Sequence, residues 1–169
     1  SITALMDRVA RTAPFHRELA KLGTEEQAVF DHTSLPGVPF VAALCIRTIP
    51  DTARAWVIAP HLRAQESLAA QLETWGVRNI LFVPEKEVAL GEEVGDPELA
   101  AERLNVLHRI ASGHVGRQTV VLTEGSLNDE VPSPDGMQNQ GMTLKTGETH
   151  APDDLIRLFE EAGFEGVPQ

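Results

Sequence analysis

Apolar residues along the 169-residue chain fall into two alternating rhythms. From Ile2 to Leu22, Leu5, Val9, Phe15 and Leu19 recur at broadly helical spacing, with Pro14 splitting the stretch and Gly23 closing it. Gln27–Phe30 then reads as a short strand. Ser34–Pro39 is rich in turn residues, and the apolar run after it ends before Pro50 as a helix. The same order repeats downstream. Ala55–Ala59 is a continuous apolar strand, and Leu62 to Trp75 is a helix whose Leu68, Leu72 and Trp75 share one face up to Gly76. Ile80–Val83 is a third strand, followed by an acidic loop from Glu85 to Gly95.

Asp96 can cap the next helix, Pro97 fits its first position, and Glu98 suits its positive end; its predicted apolar stripe is Ala100, Leu104, Leu107 and Ala111. Thr119–Leu122 is a fourth strand. The segment Ser126 to Gln140 then has the composition of a boundary between modules. Met142–Lys145 reads as a strand and Pro152 to Ala162 as a helix with Leu155, Leu158 and Phe159 inward and Gly163 as its stop. Alternating strands and helices predict an α/β fold: a P-loop-NTPase-like parallel sheet with helices on both faces, plus a small α/β appendage. The predicted divisions are a helical lead-in over 1–24, the α/β domain over 25–126 and the start of a small module over 141–169.

Composition narrows the function. With 42% apolar residues the chain can bury a core, and a net charge of −11 repels phosphate and anionic lipid, which disfavours tight non-specific DNA binding. The single cysteine, Cys45, lies in the apolar run Val41–Ile46, so no intrachain disulfide is available and a reducing cytoplasm is expected. No apolar run approaches the ~20 residues of a membrane helix, and Ser1–Ala4 lacks the features of a signal peptide.

Strand, glycine-bearing turn and helix is the setting of a phosphate-binding loop, G-x-x-x-x-G-K-[ST]. Residues His32 to Pro39 can be tested against it. Gly37 stands at the second glycine. His32 replaces the first, Val38 stands where a lysine would reach the β and γ phosphates, and Pro39 replaces the magnesium-binding hydroxyl. Pro36 and Pro39 also withhold two backbone donors from a loop that works by aiming such donors at phosphate. Ser34, Leu35, Pro36, Gly37, Val38 and Pro39 therefore read either as an ordinary strand-to-helix turn or as a degenerate nucleotide loop, with no cofactor expected.

Other constellations are weak. His16, His32, His61, His108, His114 and His150 show no metal-ligand spacing. Glu85, Glu87, Glu92 and Glu93 suit a solvated loop better than a catalytic acid pair. Thr123–Leu127 is not a nucleophile elbow, and Glu124 is displaced from the place of a magnesium-binding acid. Arg103 and Arg109 lie six positions apart on one helix, and so on different faces, fit for isolated ion pairs. Trp56 and Trp75 are expected in the core.

From about Ala28 to Gln169 the chain resembles the UvrB-like amino-terminal region of the transcription-repair coupling factors, the Mfd family. The resemblance rests on Leu35–Ala43 at the P-loop position, Trp56–Pro60, Phe82–Glu87, Ala101–Leu104 with Leu107, Leu144–Gly147, and Ala162–Phe164 with Val167 and Gln169. It departs from the family at Glu87–Gly91, which lacks the usual aromatic and aspartate, and the chain has no tyrosine. It also ends before the strand with an Arg-Gly pair and the main UvrA-contacting residues, as a fragment or a shortened relative would.

The resemblance implies a non-catalytic docking or regulatory module of a transcription-coupled repair factor. Its partners would be UvrA, or motor domains of the same polypeptide, with little direct contact to nucleic acid and none to membrane. No catalytic residue or metal ligand is expected, and the partner-binding residues are not identified. The rival expectation is a small nucleotide- or sugar-binding α/β enzyme with its site at the strand carboxyl ends, in the loops after Phe30, Ala59 and Val83.

Overall fold

A computed structural model of the chain describes residues 1–22, 24, 27–85, 97–113, 116–133, 146–147, 149 and 151–161. It divides into two units, Ser1–Glu130 and Val131–Gln169.

The first unit is built on three parallel strands: β1 (Arg54–Ala59), β2 (Ile80–Phe82) and β3 (Gln118–Thr123), ordered β1-β3-β2. The last strand in sequence is central. All six of its residues are buried, and Val57 pairs with Val121 on one side while Phe82 pairs with Val121 on the other. A run as apolar as Val120-Val121-Leu122 suits a strand covered on both faces.

Helices supply that cover. α1 (Ile2–Ala10), α2 (Ala13–Lys21), α3 (Val38–Thr48) and α4 (Leu62–Thr74) enclose a core with Met6, Leu19, Ala43, Leu44, Ile46, Leu72, Val77 and Val121. On the other face, α5 (Pro97–Ala111) brings Val106 and Ile110 against Leu81, Val83, Val120 and Leu122.

Local signals explain the helix ends. Ser1 caps α1 through Ala4 N–H, and Pro14 sits in the first turn of α2, where its missing donor costs nothing. The end of α4 is a glycine cap. Gly76 takes φ 83°, its N–H donates to Glu73 O, and Val77 N–H donates to Leu72 O while both apolar side chains are buried together.

Four expectations are corrected. Gln27–Phe30 is not a strand: Val29 N–H donates to Glu18 Oε2 at 3.1 Å, and Phe30 packs on Phe15 with ring centroids 5.6 Å apart, so α2 takes the groups a sheet would use. The buried face of α5 is Arg103 and Val106 with Ile110 beside them, whereas Ala100, Leu104 and Ala111 are exposed and Leu107 is half-buried, because the stripe is rotated toward β2 and β3. The segment after β3 begins as a short helix, α6 (Glu124–Asn128), where Thr123 caps Ser126 N–H at 3.1 Å. Trp56 is 51% exposed instead of buried.

In the second unit α7 (Pro152–Glu161) has Asp153 and Asp154 in its first turn, matching the helix dipole, with Arg157 3.5 Å from Asp154. The strand expected at Met142–Lys145, the caps expected at Gly23, Asp96 and Gly163, and the inward positions Leu158 and Phe159 lie outside the described residues or side chains.

One buried side chain ties a helix to the sheet. Gln65 on α4 is fully buried, and its Nε2 donates to Val83 O at 2.8 Å, just past β2, and to Val121 O at 2.9 Å within β3. Replacing it with Leu takes the side-chain donor from both carbonyls, although Val121 O keeps the Val83 N–H at 2.9 Å. Gln65→Leu is expected to lower stability by about 1–3 kcal/mol, read from urea unfolding.

A second prediction concerns pH. Glu18 is held below the usual carboxylate range, first by the Lys21 ammonium at 2.8 Å and then by the Val29 N–H. A depressed folded-state pKa contributes stability above the ordinary carboxylate range that is lost as pH falls through the lowered value. Glu18→Gln should therefore lower Tm at pH 7, and the gap from the parent should close as acid protonates Glu18.

Candidate functional site

Parallel α/β sheets place their chemistry at the strand carboxyl ends, and each described end here is engaged by the chain itself. After β1, His61 begins α4 with its Nδ1 accepting from Ala64 N–H at 3.2 Å. After β2, Val83 O is taken by Gln65 and Pro84 O by the buried Arg103 guanidinium. After β3, the Thr123 hydroxyl accepts from Ser126 N–H and lies 3.1 Å from Ser126 Oγ. The Glu85 carboxylate lies against Gly125, in the space a Cβ there would need. An acid at the first turn of α6 faces the positive end of a helix, where an outside anion would otherwise gain most.

Arg103 was expected in an isolated ion pair, and the structure gives it a larger part. It is 8% exposed, donates to Pro84 O, and lies 3.1 Å from Asp129 Oδ2, near enough for an ion pair but not aligned as a hydrogen bond. One side chain thus joins α5, the end of β2 and the segment after α6. Its position beside Leu104 in an apolar helix was the available signal, and the misplaced stripe hid it.

The turn tested for phosphate binding is compact. Leu35–Gly37 forms one turn of 3-10 helix running into α3; Gly37 N–H donates to Ser34 O at 2.7 Å, and Val38 N–H to Leu35 O. With Pro36 and Pro39 lacking an N–H, four successive positions offer no free backbone donor. Gly37 has φ −84°, an ordinary value, and a Cβ there would meet Thr33 Cγ2 at 3.3 Å. Leu35 is 87% exposed, Val38 is exposed and Pro39 is buried, so no cation or hydroxyl replaces those the motif requires; the nearby Ser34 makes no side-chain cap bond.

The remaining candidates stay apart. Among the described residues no group of three metal-ligating side chains comes together. Of the acidic loop only Glu85 is described; Glu87, Glu92, Glu93, His114 and His150 lie outside. His108 is exposed, 3.3 Å from Ser112 Oγ one turn later. Cys45 is half-buried, and desolvation pushes its thiol pKa up, away from the thiolate a nucleophile needs. Trp75 packs edge-on to Phe40 at 4.8 Å, in the core as expected.

Trp56 and Ile58 project from β1 on the face α5 covers farther along the sheet, and they are 51% and 55% exposed. The Arg54 guanidinium lies 6.0 Å from the Trp56 ring centroid and is fixed by Gln118 Oε1 and Ile110 O. Tryptophan and arginine displayed together have the chemistry of a protein-contact surface.

No family model matches the chain. No solved structure does either. One curated protein is similar to it, the transcription-repair-coupling factor of Bacillus subtilis (strain 168), 29% identical over 89 residues. That stretch takes in 52% of this chain and 7% of the relative's length. The similarity supports a relation of part of the chain to coupling factors. No described helix is long and apolar enough to cross a membrane.

The Arg103 contacts generate a stability prediction. Arg103→Ala should cost about 2–3 kcal/mol in thermal or urea unfolding, below a fully buried pair because Asp129 retains some exposure. Asp129→Asn should cost less, since Pro84 O keeps its donor.

Proposed function

We propose that the chain is a non-catalytic docking or regulatory module of a transcription-coupled DNA repair factor, with a UvrB-like α/β unit whose nucleotide loop has degenerated. The observation that carries this reading is the Ser34–Pro39 turn. Its Gly37 and Val38 donors are spent internally, its prolines supply none, and Val38 stands in place of the phosphate-binding lysine. Triphosphate binding requires cationic and metal compensation of several negative charges, and a molecule of net charge −11 makes that demand heavier. The order of the sequence landmarks and the similarity to the Bacillus subtilis coupling factor supply the repair context.

In this reading the working part is surface. The β1 face carrying Arg54, Trp56 and Ile58 is the contact area we assign to the module, because a large aromatic beside a fixed guanidinium suits an interface anchor. The occupant is UvrA or a motor domain of the same factor, as in the proteins the chain resembles. The rival, a nucleotide- or sugar-binding enzyme at the strand carboxyl ends, meets the internal contacts of Gln65, Arg103, Thr123 and Glu85 already in place there.

Calorimetry with ATP or ADP and Mg²⁺ should give no saturable heat at micromolar ligand; micromolar affinity overturns the degenerate-loop reading. For docking, immobilised UvrA and the isolated motor domains are each tested with the chain and with a version extended past Gln169. Retention weakened by Trp56→Ala is the expected result, and failure of both forms on both baits removes the docking assignment.

A further inference from the structure

Charge is unevenly distributed along this acidic chain. Residues 1–22 hold Arg8, Arg11, Arg17 and Lys21 against Asp7 and Glu18, in a molecule whose total is −11. Lys21 is paired with Glu18, and Asp7 is held by Arg47 at 2.9 Å. Arg8, Arg11 and Arg17 are exposed and have no ion-pair partner among the described residues. The corner formed by α1 and α2 is therefore cationic even though the whole molecule is not.

A cavity of about 340 Å³ opens in that corner, on the sheet face opposite Trp56 and Ile58. Asp7, Ala10 and Arg11 share one face at the end of α1, and His16, Leu19 and Ala20 share one face of α2; Thr48 of α3 closes the end. Its apolar lining is Ala10, Leu19 and Ala20, of which Leu19 is buried and Ala20 exposed. The rim carries the free Arg11 guanidinium and the exposed His16 imidazole. The one wall carboxylate, Asp7, already has its charge answered by Arg47.

We infer that this groove docks an acidic amphipathic helix of a protein partner, seating an apolar side chain on Ala10, Leu19 and Ala20 and a carboxylate between Arg11 and His16. Charge complementarity favours that occupant. Nucleic acid is a poorer match, since the apolar lining of Ala10, Leu19 and Ala20 and the Asp7 carboxylate answer no phosphate. The inference does not rest on the proposed repair function, and its test reads amides on α1 and α2, far in sequence from Trp56.

The test is an amide NMR titration of the full, isotope-labelled chain with a capped helical peptide of Glu and Leu at amphipathic spacing. Saturable shifts confined to Ala10, Arg11, His16, Leu19, Ala20 and their neighbours are expected, weakened by added salt and about tenfold by combined Arg11→Glu and His16→Glu. Both substituted side chains are exposed, so the fold is retained, and an unchanged spectrum elsewhere verifies it. The inference is overturned by shifts centred elsewhere or by equal binding of the peptide with Lys in place of Glu. Indifference to the double substitution, displacement by a single-stranded oligonucleotide, or a dimer protecting the same amides also overturns it.

Discussion

Burial of β3 on both faces is the constraint on which the rest depends. Six consecutive buried residues give no backbone group access to water, so every donor and acceptor must be met by a neighbouring strand or a side chain. β1 and β2 meet most of them in parallel register, and a parallel arrangement forces the connecting helices onto the faces. The Gln65 amide extends the scheme past the end of β2, taking Val83 O and sharing Val121 O with the Val83 N–H. α4 is thus held to the sheet by a directional bond as well as by Leu72 in the core, and the direction fixes its rotation.

The same economy shapes the strand carboxyl ends. In an α/β protein built for ligand chemistry, that rim presents free donors and strained turns. Here Glu85 lies against Gly125, and Arg103 is drawn inward toward Pro84. Polar groups of the right types are therefore present but spent on one another. Among the described residues, Trp56 and Ile58 are exposed on one face of the sheet, and the cationic corner of α1 and α2 with its recess lies on the other.

The alternation of strands and helices was legible in the sequence because helix stops and apolar runs are local signals. Pro14, Gly76 and the valine-rich segment at 119–122 each act within a few residues. Strand order was not legible, since nothing local tells Thr119–Leu122 to insert between the two earlier strands. The strand expected at Gln27–Phe30 failed for a related reason: a carboxylate eleven residues away, Glu18, takes the Val29 donor. The α5 stripe failed because alanine and leucine mark a helix without marking its buried side, and the residue that does go inward there is an arginine. The lack of a lysine at Val38 and of a hydroxyl at Pro39 is readable from residue types; the consumption of the Gly37 and Val38 donors depends on the folded turn. The size of Trp56 points to the core, yet α5 leaves that part of β1 uncovered.

Arg103 and Asp129 lie close to the boundary where the first unit gives way to the second. A buried cation drifting to a neutral residue abandons an acid and a carbonyl together, while the acid drifting alone leaves a charge with half its reason for being inside. Substitutions at these two positions are therefore not independent. Among descendants of this sequence they should change in concert, and an inheritance that alters only one should be short-lived.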